Sequence, residues 1–538
     1  MDIVMRIRAD VLRTYQSIHT WTGILTGLLL FIAFYAGALT MFKPQIEQWA
    51  IPSNQQLAQV PSERLDELIT QALSQYDKAR EGFIISFDEN ESPMKWYEHG
   101  GGRGIRLDDQ LRHASLTERG EIITQMSSTN ELGTLIDQLH RTTGIIGKVG
   151  HEDLGVIVLG VAALLYFLAL VSGVIILLPT LVKNLFALRQ NKGSNRLWLD
   201  SHNLVGVISL PFHIIIAWTV IVFAFHDFFY GGLGIVYGDK PLFERPVRSN
   251  VEYSITELPS MATYRQQLSA MTHGYQIVSM AFSNLSTTNP ALAVEVKTDG
   301  QIMRGGYSDF IYLNPYTFAV QFNTLNQASE GAYGPIVNSL FALHFGNYAG
   351  DFGRWMYFAF GLLGAFLFYS GNLLWLEKRR KKQAEQQAST RFMASLTIGV
   401  CLGSMLGVSF AILVTKWLYL VTHQVNSHYL ACYYVIFFGA IIYSFVRNPA
   451  LAAIHILKLL ALVCALIPVS TLISPLFAPS ESIAYASLGP VDMVALIFAI
   501  CFYFCAQKVY KRAYFGERNS IWALSKPEHL AKFTAAQQ

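Results

Sequence analysis

Charge is scarce in this sequence. Asp, Glu, Lys and Arg make up 14% of its 538 residues, against roughly 25% in soluble globular chains, and long uncharged runs separate the clumps. The net charge is only +3. No basic stretch with interleaved aromatics stands apart from the segments flanking apolar runs, so nucleic acid is excluded as a partner. Cysteine is scarce too. Cys401, Cys432, Cys464, Cys501 and Cys505 all lie in or beside C-terminal apolar runs, which rules out a disulfide framework in the polar parts. Without a C-x-x-C-H run there is no covalent attachment of a c-type haem. The sequence also lacks a G-x-G-x-x-G run after a strand and a Walker A run, which argues against nucleotide or flavin binding within this chain.

Apolar runs are what it has, 52% of the residues being hydrophobic. A spanning helix needs about 20 apolar residues. Eight segments qualify: Trp21 to Phe42, Leu154 to Leu178, Asn203 to Phe225, Trp355 to Leu376, Ala394 to Val414, Tyr429 to Val446, Leu451 to Leu472 and Val491 to Ala506. Basic clusters flank them at Arg6, Arg8 and Arg13, at Lys183, Arg189, Lys192 and Arg196, at Lys378 to Lys382, at Arg447, and at Lys508, Lys511 and Arg512. With eight spans every cluster falls on one side, which the positive-inside rule makes the cytoplasm. The first run exceeds a signal-peptide core in length and reads as a retained anchor. The expected architecture is a polytopic α-helical membrane protein with two small α+β modules outside the cytoplasm.

The modules divide the chain as follows: 1–42 N-terminus and first span; 43–150 module 1; 151–226 second and third spans; 227–353 module 2; 354–390 fourth span and basic linker; 391–507 last four spans; 508–538 cytoplasmic tail. In module 1, periodicity predicts a helix over Glu63 to Tyr76 and strands at Phe83 to Phe87 and Lys95 to Tyr97. In module 2 it predicts a helix over Met261 to Met271 and strands at Val278 to Phe282, Ala291 to Val296 and Phe310 to Leu313, with a turn at Asn314-Pro315.

The first four spans form an internal repeat. His19-Thr-Trp-Thr-Gly23 opens span one and His202-Asn-Leu-Val-Gly206 opens span three. Leu139-His140 precedes span two and Leu343-His344 precedes span four; Val171-Ser-Gly173 and Tyr369-Ser-Gly371 end those spans. A parallel repeat implies a pseudo-two-fold axis along the membrane normal. Across it His19 can oppose His202 near one face, and His140 can oppose His344 near the other. Two facing imidazoles are what a six-coordinate b-type haem requires, so two haems are expected. His213, in mid-span, is a further candidate ligand or a contact to a haem propionate. It follows His202 by 11 residues, which on an unbroken helix puts the two only about 20° apart, and Pro211 can bend that helix. His151 and His226 read as interfacial, and His423, His428 and His455 carry still weaker signals.

At these residues the chain resembles the PepSY-associated transmembrane family, iron-regulated membrane proteins. The resemblance rests on Ser17-Ile-His19-Thr-Trp21-Thr-Gly23, on Asp200-Ser-His202-Asn-Leu-Val-Gly206 continuing to Leu210-Pro-Phe-His213, and on Leu343-His344-Phe-Gly followed by Tyr369-Ser-Gly371-Asn-Leu-Leu-Trp375. It covers residues 1 to about 382. It implies a haem b protein of the bacterial inner membrane, similar to ferric-siderophore reductases, with PepSY modules in the periplasm. Tyr312-Leu-Asn-Pro-Tyr-Thr-Phe-Ala-Val resembles the closing turn of a PepSY unit, with Phe318 where glycine is common. The expected partners are membrane lipid, a cytoplasmic or quinol electron donor and a periplasmic ferric chelate. Two other functions stay open, a PepSY-based periplasmic regulator of peptidases and a transporter.

Overall fold

The computed structural model describes residues 8–51, 57–100, 107, 109–150, 152–181, 188–189, 194–237, 251–272, 274–298, 302–325, 333–422, 424–477 and 488–524. His151, Lys183, Lys192, His423 and the start of the first basic cluster, with Arg6, lie outside them.

Seven helices among the described residues are long and apolar enough to cross a membrane. They are α1 (Ala9–Thr40), α6 (Leu154–Leu177), α12 (Gly350–Arg380), α13 (Ala388–Val421), α14 (Val425–Val446), α15 (Pro449–Ile473) and α16 (Pro490–Phe515). The eighth expected span is broken into α7 (Ser194–Ile208) and α8 (Leu210–Ala224), bent by 67°. Pro211 has no N–H to give the carbonyl of Val207, so the ladder is interrupted there. The Ser209 hydroxyl meanwhile donates to the Val205 carbonyl at 2.6 Å. His202 and His213 lie on opposite sides of this break, so the same-face relation expected of an unbroken helix does not hold.

The two inserts were expected as separate modules, but their strands form one sheet. The first supplies β1 (Gly82–Ser86), β2 (Met94–His99), β3 (Gln110–Leu116) and β4 (Ile122–Ser128). The second supplies β7 (Gln276–Ser283), β8 (Ala291–Lys297), β9 (Asp309–Leu313) and β10 (Val320–Asn323). The strand order is β10-β9-β8-β7-β1-β2-β3-β4, with β1 and β7 antiparallel from Gly82↔Ser283 to Ser86↔Ser279. Each strand in one half therefore has a counterpart in the other, related by a two-fold axis through the β1–β7 seam. Gly82 is required at that seam, since a Cβ there would lie 2.5 Å from the Phe282 carbonyl oxygen. One face of the sheet is covered by α3 (Leu65–Gln75) and α10 (Met261–Thr272). Leu65, Leu68, Ile69 and Ala72 of α3 and Tyr264 and Leu268 of α10 share one buried core with Phe83, Ile85, Trp96, Leu292, Val294 and Val296 of the sheet. Each such large side chain contributes about 1.5–3 kcal/mol by leaving water.

The two inserts share one sheet, which is consistent with α7–α8 returning the chain after α6. With that bent pair counted as one span, the described residues hold up to eight.

Three short helices near the membrane escaped sequence reading. They are α2 (Lys43–Ala50), α5 (Leu132–Thr142) and α11 (Tyr333–Phe345). A fourth, α9 (His226–Tyr237), follows α8 directly. The last four spans pack onto the first bundle through a core that joins Phe31, Tyr35 and Leu39 of α1 to Cys401, Val408 and Ile412 of α13. On the side away from the sheet, Arg512 of α16 donates to Glu377 of α12 at 2.5 Å, and Ser520 donates to the same carboxylate at 2.6 Å.

Candidate cofactor sites in the first bundle

Four helices bring histidines to the centre of the repeat. His19 lies on α1 and His202 on α7, while His140 and His344 come from the short helices α5 and α11. In α5 the apolar residues Leu132, Leu135, Ile136 and Leu139 recur at helical spacing and are buried, so that face docks on the bundle and carries His140 in beside α1. Helix α11 places His344 in its last turn. Gly346 ends it at φ +68, and a Cβ there would lie 2.6 Å from the Tyr357 ring. The Tyr357 hydroxyl in turn donates to the Leu343 carbonyl at 2.7 Å. These contacts fix where the imidazole of His344 emerges.

The rings meet in the two expected pairs. His19 and His202 have ring centroids 6.4 Å apart with planes at 83°, and His140 and His344 have centroids 6.0 Å apart with planes at 35°. An imidazole nitrogen sits about 2 Å from a bound metal, so two rings on opposite sides of one ion have centroids about 6 Å apart. Both pairs match that separation.

Hydrogen bonds settle which ring nitrogen is available. His19 Nδ1 lies 2.8 Å from the Ala169 carbonyl oxygen, and His140 Nδ1 lies 2.8 Å from that of Ala33. A carbonyl only accepts, so both Nδ1 atoms carry the proton. His202 Nδ1 is 3.0 Å from Ser370 Oγ, and His344 Nδ1 is 2.9 Å from Thr219 Oγ1. Those hydroxyls also reach backbone carbonyls, Ser370 that of Leu367 and Thr219 that of Ile215, and while they donate there Nδ1 is the donor to them. In a neutral imidazole the remaining nitrogen, Nε2, then presents a lone pair. Holding Nδ1–H in this way is how proteins orient metal-ligating histidines.

Small residues let the rings in. A Cβ at Gly37 would lie 2.6 Å from His140 Nδ1; at Gly173 it would lie 3.1 Å from His19 Cε1, and at Gly371 3.4 Å from His202 Cε1. Gly173 and Gly371 are repeat counterparts, and each faces its own half's opening histidine. Between α1, α6, α8, α11 and α12 opens a cavity of about 710 Å³ lined by His140, His344, Phe34, Tyr166, Phe212 and Gly37. It is of a size to enclose a large planar ligand. Lys43, Arg141, Arg304 and Arg354 also line it. Helix α1 sets the spacing of the pairs: Ala33, whose carbonyl holds His140, follows His19 by 14 residues, or about 21 Å of helix.

His213 joins neither pair. It is fully buried and its ring meets Phe34, Phe212 and Tyr166. Neither of its ring nitrogens has a hydrogen-bond partner. The bend at Ser209 explains the separation from His202. His428 and His455 bond locally, to the Gln424 carbonyl and the Tyr443 hydroxyl.

The residues that orient the histidines were missed in the sequence. Ser370 stood in the repeated Tyr369-Ser-Gly371 run, which read only as the end of a span; its distance from the helix-opening histidine was the available signal. Thr219 carried no signal, and backbone carbonyls carry none in any sequence.

The family described as PepSY-associated TM region matches residues 16–378 of the chain. No curated protein matches it.

Proposed function

The chain belongs to the PepSY-associated TM family, and from that membership we propose that it is a haem b-containing electron-transfer protein of the bacterial inner membrane, reducing a ferric chelate at the periplasmic face for iron uptake. One observation carries the reading. Four histidines meet in two pairs at metal-bridging separation, each with Nδ1–H engaged and Nε2 left as the ligand atom.

His19 and His202 would hold one haem, and His140 and His344 the other. When bound, such a group supplies one-electron chemistry that no side chain here provides. The chain's own contribution is placement. It stacks the two pairs along the membrane normal about 21 Å apart and fixes each imidazole from behind. It also lines the inner part of the cavity beside the His140 and His344 pair with apolar side chains such as Phe34, Phe212 and Phe341. The basic clusters of the connecting segments favour cytoplasmic termini, which would leave the sheet in the periplasm. Lys43, Arg141, Arg304 and Arg354 line that mouth together with Asp137 and Glu152. Three of these cations are ion-paired, to Glu47, to Asp137 and Asp153, and to Asp351, and the four would be the groups that meet an anionic ferric chelate. A quinol or a cytoplasmic reductant would serve as electron donor near His19 and His202.

The test is a pyridine haemochrome assay on the purified full-length chain. The reading expects two haems per chain. Alanine at His19 or His202 removes one, and alanine at His140 or His344 removes the other. Haem-free protein with the expected fold refutes it.

A further inference from the structure

The rim of the sheet-side cavity carries a second cluster of ligand atoms. Glu152 opens β6 (Glu152–Asp153), the two-residue strand that pairs with β5 (Lys148–Val149) just before α6, and His226 and Asp227 open α9 immediately after α8. Although far apart in sequence, they meet because α6 and α8 cross closely. Gly160 permits this crossing, since a Cβ there would lie 2.5 Å from Ala224 Cβ and 3.1 Å from the Phe225 ring. We propose that Glu152, His226 and Asp227 form a binding site for a first-row divalent metal ion.

Their ligand atoms all lie within 4.8 Å of one another. His226 Nε2 is 3.3 Å from Asp227 Oδ1 and 3.8 Å from Glu152 Oε1. Two ligands about 2.1 Å from one metal at a tetrahedral angle stand about 3.4 Å apart, so the cluster closes around an ion with little movement. His226 Nδ1 bonds the Phe223 carbonyl at 2.7 Å. The ring is thereby held from behind with Nε2 turned toward both carboxylates, the same device used by the four paired histidines. One imidazole and two carboxylates suit borderline to hard ions such as Mn(II), Fe(II) or Zn(II) and disfavour soft Cu(I). Three protein ligands leave coordination positions for water or an exchanging ligand, and exposed Asp227 gives access.

Position gives the site its use. Glu152 and His226 line the same cavity as His140 and His344, whose other lining residues include Lys43, Arg304 and Arg354. The cavity therefore has cationic groups for an anionic chelate and an anionic group for a released cation. A ferrous ion, held far less tightly than ferric iron by hard oxygen chelators, is the cation such a reaction would leave there. That link to iron rests on the proposed reductase function; the metal site itself does not.

The test uses the full-length chain in detergent, treated with a chelator and titrated with Mn(II), whose free-ion paramagnetic resonance signal reports occupancy. One Mn(II) binds per chain, Fe(II) displaces it anaerobically, and His226→Ala, Glu152→Gln and Asp227→Asn each weaken it by about tenfold or more. Haem content and elution profile stay at wild-type values, which separates loss of the site from loss of the fold. Absence of single-site binding up to about 1 mM overturns the proposal, as does binding that all three substitutions leave unchanged. Haem-free protein that binds Mn(II) sinks the reductase function and keeps the site. Haem-loaded protein that ignores Mn(II) does the reverse.

Discussion

Gly37→Ala is the sharpest test of how the sheet-side histidines are held. The new Cβ would stand 2.6 Å from His140 Nδ1 and 2.8 Å from Cε1. Ordinary contact begins near 3.4 Å, so the ring must retreat by about 0.6–0.8 Å. Metal–ligand distances tolerate roughly 0.2 Å, so a retreat of that size leaves the His140 and His344 pair unable to bridge one ion. It also stretches the 2.8 Å bond from Nδ1 to the Ala33 carbonyl, a bond worth about 0.5–1.5 kcal/mol. The expected result is one haem per chain instead of two, the remaining one being held by His19 and His202. Gly23→Ala on the same helix is the control, because nothing lies within 4 Å of its added Cβ, and it keeps both. Gly173→Ala is intermediate, its Cβ meeting His19 Cε1 at 3.1 Å. A Gly37→Ala protein that still carries two haems with an unchanged spectrum would refute the packing argument.

Four further outcomes are expected. Thr219→Val removes the acceptor that fixes the His344 tautomer, so haem affinity at that pair should fall about 10–100-fold in a haem-transfer assay, with the other pair unaffected. Imidazole planes at 83° and 35° should give two distinct low-spin ferric resonance signals, the near-perpendicular pair having the more anisotropic one; His202→Ala removes that signal alone. His113, bonded to Ser92 and Ser127 on the sheet, is pushed down to about 4 by burial and by nearby Lys95. The unfolded chain then takes up this proton first, so stability is complete above about pH 6.5 and falls as pH drops toward 4; melting curves of His113→Gln should lose that part of the acid slope. Phe318→Gly relieves a left-handed backbone worth about 1–2 kcal/mol but removes a ring packed on Tyr264, so a net loss in melting temperature is expected.

The sequence shows different parts of this molecule to different degrees, for physical reasons. The spans were legible because lipid demands long uncharged runs, and the repeat was legible because both halves retain His-x-x-x-Gly and Ser-Gly at matching places. The histidine pairs followed from symmetry alone. The fused sheet did not, because each insert satisfies its own helix and strand pattern without revealing that β1 and β7 are partners. Strands β3 and β4 escaped because residues such as Gln110, Arg112, His113, Thr124 and Gln125 break apolar alternation on a sheet whose second face is solvated. Helices α5 and α11 escaped because they are too short to read as spans and too apolar on one face to read as loops. Phe318 stands where the resembled turn commonly has glycine. The chain keeps the turn, holding Phe318 at φ +59 while the Asn314 side chain accepts from the N–H groups of Tyr316 and Thr317.

His213 makes the last test. Folding gains nothing from it as it stands: two buried ring nitrogens without partners cost about 1–3 kcal/mol each. The repeat already contains the apolar alternative, because the corresponding residue of the first half is Leu30, itself buried. His213→Leu should therefore raise the melting temperature of the haem-free chain. A residue that costs stability in a packed interior is retained for what it does, and His213 lies between the two histidine pairs with the Tyr166 hydroxyl nearby, also without a partner. It has no histidine opposite, so the substitution should leave two haems per chain while moving their midpoint potentials in a redox titration. A drop to one haem would instead make His213 an iron ligand and break the assignment of the two pairs; unchanged potentials together with unchanged stability would remove any reason to place function there.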